Sequence, residues 1–258
     1  MFGVNHMKKL GTLVCLSTAL LGADLAQAQW TGNWLLGASA GWANQTGYLE
    51  NGFAIADVAF GDTSVSDKNR IHNDGFIGGV FGGYQIRCNG WLMGVELNVA
   101  WQDHGDEHTY LSTQGPFAFG ATAKYKRDAT VGLTGRFGYE FFPWLATYVR
   151  GGVETSKDKL DVDSAFFNPA TGNVIPALTA SADGSHRNWR GILGVGVELP
   201  VPVMTGITAR VEYDYHFKGK RVEATAFTVE EPTDAFAFAS ARPETHSVMA
   251  SVVWNFMP

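Results

Sequence analysis

Nine charged side chains stand at alternating positions inside otherwise apolar segments: Glu96, Arg136, Arg150, Glu154, Arg190, Glu198, Arg210, Glu212 and Asp214. Their immediate neighbours, such as Val95 and Leu97 around Glu96 or Val211 and Tyr213 around Glu212, are apolar. A period of two puts each charge on the polar side of a strand whose other side is greasy. If those polar sides converge, four arginines and five carboxylates share one space. A guanidinium can satisfy carboxylates through paired hydrogen bonds, and a buried charge left alone is costly, so the expected chemistry is an interlocked ion-pair network. The alternative use of the same set is a narrow gated conduit, in which pairs exchange partners and pass small ions.

Two further clusters invite other chemistry. Asp103-His104-Gly105-Asp106-Glu107-His108 has the residue types that hold Zn²⁺, but Gly105 weakens any helix that would align His104 with His108, so the segment is expected to be a solvated loop without metal. His216 lies two residues from Asp214, on the same side as the ion pairs, where a pairing role suffices. No serine, histidine and carboxylate occur in a nucleophile motif and no phosphate loop is present, so the sequence predicts no enzyme activity and no cofactor.

The elements that position these residues are strands. In Gly90 to His104, Trp91, Met93, Val95, Leu97, Val99 and Trp101 alternate with polar Glu96, Asn98 and Gln102. The two tryptophans lie ten residues apart. That separation is roughly 33 Å along a strand, or roughly 24 Å of height at a ~45° tilt, close to the ~25 Å apolar band of an outer-membrane barrel with aromatic girdles at its rims. Seven more segments carry the pattern: Trp34 to Trp42, the glycine-rich Asp74 to Gln85 whose facing is ambiguous, Asp128 to Tyr139, Trp144 to Glu154, Asn188 to Leu199, Thr205 to Phe217 and His246 to Phe256. The predicted fold is all-β, an eight-stranded antiparallel up-and-down transmembrane β-barrel. Its girdle is expected from Trp34, Trp42, Trp91, Trp101, Tyr139, Tyr213, Trp254 and Phe256. A soluble lipocalin-like barrel would show the same alternation turned inside out. The aromatic bracketing, the order of the connections and the terminal aromatic strand favour the membrane form.

Connections alternate in length. Arg87 to Asn89, Glu140 to Pro143 and Pro200 to Met204 read as tight turns; 44–73, 103–127, 157–187 and 218–245 read as long loops. Short turns belong to the periplasmic side and long loops to the cell exterior, so both mature ends are expected in the periplasm. Residues 1–28 have the order of a secretory signal: Lys8 and Lys9, an apolar stretch from Leu10 to Ala23, then Ala26-Gln27-Ala28, with Met7 as a second possible start. Cleavage after Ala28 leaves a 29–258 barrel with Cys88 as its one cysteine, hence no internal disulfide. It also removes two lysines and one aspartate, which leaves 17 basic and 24 acidic residues and a net charge near −7, a poor match to nucleic-acid binding.

Trp30-Thr31-Gly32 leading into the first strand, Gly78-Gly79 through Gly82-Gly83-Tyr84-Gln85 in the second and Trp91 through Gly94-Val95-Glu96 in the third carry a resemblance. The chain resembles the small Gram-negative outer-membrane barrels of the opacity-protein and outer-membrane immunogenic protein type, relatives in fold of the OmpA anchor. The resemblance implies a monomer inserted by the barrel-assembly machinery, and a surface antigen, adhesin, haem binder or modest pore. Such barrels finish on an aromatic residue with glycine five positions earlier; here these positions are Phe256 and Ser251, and Met257-Pro258 follow.

The basic residues gather on the long connections. Lys124, Lys126, Arg127, Lys157, Lys159, Lys218, Lys220 and Arg221 are candidates to meet the phosphates of lipopolysaccharide in the outer leaflet. The reading is an integral outer-membrane surface protein with a structural and contact role, in competition with a small porin and with loop-mediated binding of haem or a host molecule.

Overall fold

A computed structural model describes residues 30–57, 63–102, 105–114, 117–167, 171–230 and 233–256; the signal segment and Asp103-His104 lie outside them. The described residues form twelve strands: β1 (Thr31–Asp57), β2 (Thr63–Cys88), β3 (Trp91–Gln102), β4 (Gly105–Gln114), β5 (Phe117–Arg127), β6 (Thr130–Phe142), β7 (Leu145–Phe167), β8 (Val174–Pro200), β9 (Ile207–His216), β10 (Val222–Glu230), β11 (Thr233–Ala241) and β12 (Glu244–Phe256).

Eight of them close a ring in the order β1-β12-β9-β8-β7-β6-β3-β2, with β2 pairing back onto β1. Every pairing is antiparallel, and closure leaves this part of the sheet without an edge. A two-residue turn joins β2 to β3 through Asn89 and Gly90 at φ 49° and 82°, with Cys88 opposite Trp91. Positive φ at both central residues makes it the Asn-Gly hairpin turn whose twist matches the strands. It lies one residue further along the chain than the sequence pattern placed it.

Within the ring the alternation becomes two surfaces. Trp34, Leu36, Val95, Leu97, Leu133, Val149, Leu193, Val195, Val252 and Trp254 face outward and are exposed. The ambiguous β2 resolves with Phe76, Val80 and Tyr84 outward and Ile77, Phe81 and Gln85 inward. This is a polar interior wrapped in an apolar belt, the polarity of a membrane barrel.

The long connections are not the irregular loops that their composition suggests. β1 and β2 stay paired as far as Ile55 and Thr63, and β7 and β8 run on together to Ser164 and Ala180 and, past a register shift, to Phe167 and Val174. Segment 103–127 contains the β4–β5 hairpin, which pairs to β7 through β5, and segment 218–245 contains the β10–β11 hairpin, which pairs to β1 through β11. Here the polarity reverses. Leu49, Tyr125, Leu160, Val162, Val222 and six alanines on β5, β10 and β11 turn inward and pack into one buried apolar cluster. Gly184 of β8 lies so close to β10 that a Cβ there would fall 2.3 Å from the Glu223 carbonyl oxygen, so bare backbone closes the seam. A water-facing sheet with an apolar core therefore stands on top of a membrane ring with a polar core.

Candidate functional site: the filled bore

The inward side chains meet across the bore. Arg210 on β9 and Glu96 on β3 belong to opposite strands of the ring, yet Arg210 Nη1 donates to Glu96 Oε1 at 2.7 Å. Arg136 donates to the same oxygen at 2.9 Å and to Glu198 Oε2 at 3.0 Å, and Arg210 Nε donates to that Glu198 oxygen at 2.9 Å. Two guanidiniums and two carboxylates thus alternate in a closed loop, all four buried. Arg87 adds a third cation to Glu198 at 2.6 Å and reaches Glu140 at 3.0 Å, facing the turn end.

Above this loop the Tyr148 hydroxyl donates to Glu212 at 2.8 Å, and the Tyr148 ring lies 3.8 Å from the Arg136 guanidinium carbon. Two inward glycines make room for that ring, because a Cβ at Gly196 would stand 2.5 Å from its Cζ and one at Gly138 2.5 Å from its Cβ. Arg150 spans Glu212 and Asp214, each at 3.3 Å. Higher still, Glu154 bonds His216 Nδ1 at 2.9 Å, while His216 Nε2 faces Ser247 Oγ at 3.3 Å. At the top Arg190 pairs with Asp158 and Ser156, Asn188 donates to Asp158 at 2.8 Å, and Arg127 approaches Asp158 at 3.5 Å and donates to Thr245 at 3.1 Å.

Ser247, His216 and Glu154 stand in the order of a hydrolase triad. Ser247 is 2% exposed, and the cavity beside His216, bounded by Gln102, Arg127, Thr130 and Thr245, holds about 20 Å³. That is space for one water molecule and, among the described residues, too little for an acyl substrate. Sequence spacing could not show this trio, because its members come from three strands far apart in the chain.

The structure places all nine predicted interior charges inside the ring and buries them. To these it adds Arg87, Tyr148, Asp158 and Ser247, residues whose parity along their strands was the available signal, and it puts His216 inward against Glu154, on the side read from its place beside Asp214. The eight predicted girdle residues lie on the outward rows, joined by Phe76 and Trp189, and Trp144 is exposed in the β6–β7 turn. The predicted outer cations divide. Arg127 is corrected: it turns inward beside Asp158 with its side chain 3% exposed, away from the outer wall. Lys124 lies 3.4 Å from Glu107 and Lys159 lies 3.0 Å from Asp128; Lys126, Lys157 and Lys220 are exposed. Lys218 and Arg221 share a recess on the outer wall. Beside it the Tyr215 hydroxyl donates to Glu244 at 2.7 Å, and this bond, helped by Lys218 at 3.5 Å, holds the carboxyl below its ordinary range.

Residues 13–256 match the family model of the outer membrane protein beta-barrel domain. No curated protein matches the sequence. Similar solved structures include neisserial surface protein A, at 11% identity and a TM-score of 0.34 over 86% of this chain and 97% of that one. The attachment invasion locus protein of Yersinia pestis follows at 12% and 0.28, over 82% and 97%. The N-terminal β-barrel domain of Pseudomonas aeruginosa OprF stands at 11% and 0.32, over 83% and 99%.

Proposed function

We propose that this chain, which belongs to the outer membrane protein β-barrel family and is therefore an integral outer-membrane barrel, is a closed surface protein with a structural and contact role. The supporting observation is the Arg210–Glu96 contact at 2.7 Å across the diameter of the ring, locked into a loop with Arg136 and Glu198. An eight-stranded barrel is only wide enough for its side chains to fill, and a water path requires several buried pairs to part together. The porin alternative has no such support. In this reading the long-connection end faces the cell exterior, the short turns face the periplasm, the barrel works as a monomer delivered by the barrel-assembly machinery, and lipopolysaccharide surrounds its outer half. The water-facing polarity of the upper sheet fits a part that projects from the membrane.

Conductance tests the central claim. Purified folded protein in a planar bilayer is expected to give no steady large conductance, at most brief small openings. A steady, solute-permeable conductance from single wild-type chains would replace this reading with the porin.

A further inference from the structure

We infer that a recess on the outer wall, formed by Tyr48, Lys68, Lys218, Arg221, Ser240 and Arg242, binds the phosphate-bearing sugar headgroup of an outer-leaflet glycolipid; this rests on the orientation proposed above.

The position comes from one row of side chains. On β1 the outward residues run Trp34, Leu36, Ala38, Ala40, Trp42, and continue through Asn44 and Thr46 to Tyr48 and Glu50. Trp42, 57% exposed, marks the upper rim of the apolar belt. Tyr48 lies six residues beyond it, roughly 20 Å along the strand and roughly 14 Å in height at a ~45° tilt. The recess therefore opens sideways on the outer wall above the apolar belt, in the hydrated layer where the sugars and phosphates of a glycolipid leaflet stand.

Its charge and shape select the ligand. Lys68, Lys218, Arg221 and Arg242 line it with one carboxylate, Glu50; counting Glu244, which lies 3.5 Å from Lys218, cations still outnumber carboxylates four to two in a chain whose net charge is −6. Glu50 stands 3.9 Å from Arg221, with side chains 36% and 56% exposed, a long and solvated contact that does little to neutralise the cation. Arg242 is anchored by Nε, which donates to the Gly219 carbonyl at 3.0 Å and leaves the guanidinium end for another acceptor. Lys68 sits 4.7 Å over the Tyr48 ring. A forked guanidinium fits phosphate oxygens, and an aromatic face beside it suits the flat side of a sugar. The recess encloses about 180 Å³, room for one phosphorylated monosaccharide. Lys124 and Lys126, on β5, do not line it.

The test uses the full mature barrel in detergent micelles, so its outcome does not depend on orientation or on conductance. The probes are lipid A carrying its phosphates, the same lipid A dephosphorylated, and free glucosamine 1-phosphate as competitor. R221A combined with R242A is expected to weaken binding of phosphorylated lipid A by on the order of tenfold or more, while K124A combined with K126A changes it by less than about twofold. The wild-type interaction should also weaken with added salt. Both variants alter exposed side chains, and R221K with R242K provides a charge-preserving version should the alanine pair fold poorly. Equal binding of dephosphorylated lipid A, or an equal loss in the Lys124/Lys126 variant, would overturn the proposal. Competition by the free sugar phosphate at the concentration at which lipid A itself binds would overturn the lipid as the ligand.

Discussion

Glu198 holds three guanidiniums while 1% exposed, more guanidiniums than any other described carboxylate of the bore. Glu198→Gln keeps the shape and removes the charge, so Arg136 and Arg210 are left to share Glu96. Breaking a buried pair from one side strands the other charge, at a cost of about 3–5 kcal/mol. Urea unfolding in lipid vesicles is expected to show that loss, and bilayer recordings more frequent brief openings. Glu107→Gln is the contrast. Its partner Lys124 is 3.4 Å away and both side chains are about half exposed, so a change under ~1 kcal/mol is expected. Similar small effects at both positions would mean that the loop contributes shape without electrostatic cohesion.

The strands differ in how plainly their sequences declare them. β3, β6, β8, β9 and the ring portion of β7 read correctly because valine, leucine and tryptophan on one side contrast with charges and glycines on the other. The contrast disappears above the belt. In Asn44 to Glu50 both sides of β1 carry polar residues, and the buried side of β10 and β11 is alanine, a poor strand former whose burial composition does not signal. The same blindness misplaced Arg127. With β5 recognised, parity puts Lys124 and Lys126 outside with Arg127 inside next to Tyr125; without it, the three look like one basic patch. Glycine placement was equally silent about its purpose. Gly196→Ala sets a methyl 2.5 Å from the Tyr148 ring and must push it off Arg136 and Glu212, so a loss of about 1–3 kcal/mol is expected on unfolding. Tyr148→Leu should relieve that strain, so the double variant should be less destabilised than the two single losses added together. Simple additivity would show that the ring does not rest on Gly196.

At the scale of the whole molecule, one sheet passes through two solvents and reverses its inside and outside polarity between them. The reversal makes sense only if the upper sheet is in water and the ring in lipid, but it does not say which side of the membrane that water is on. Loop length supplies that answer as an expectation, and introduced thiols can test it. Cys88 is 6% exposed, so the native thiol contributes little background. Val203, 89% exposed in the β8–β9 turn, and Thr171, exposed in the connection from β7 to β8, lie at opposite ends of the molecule. On intact cells a membrane-impermeant maleimide is expected to label Thr171→Cys and to leave Val203→Cys unmodified; after the outer membrane is broken, both should react. Labelling of Val203→Cys alone on intact cells would invert the barrel. Inversion would leave the filled bore unchanged but move the basic recess to the inner leaflet, so this measurement decides whether the recess can meet the glycolipid at all.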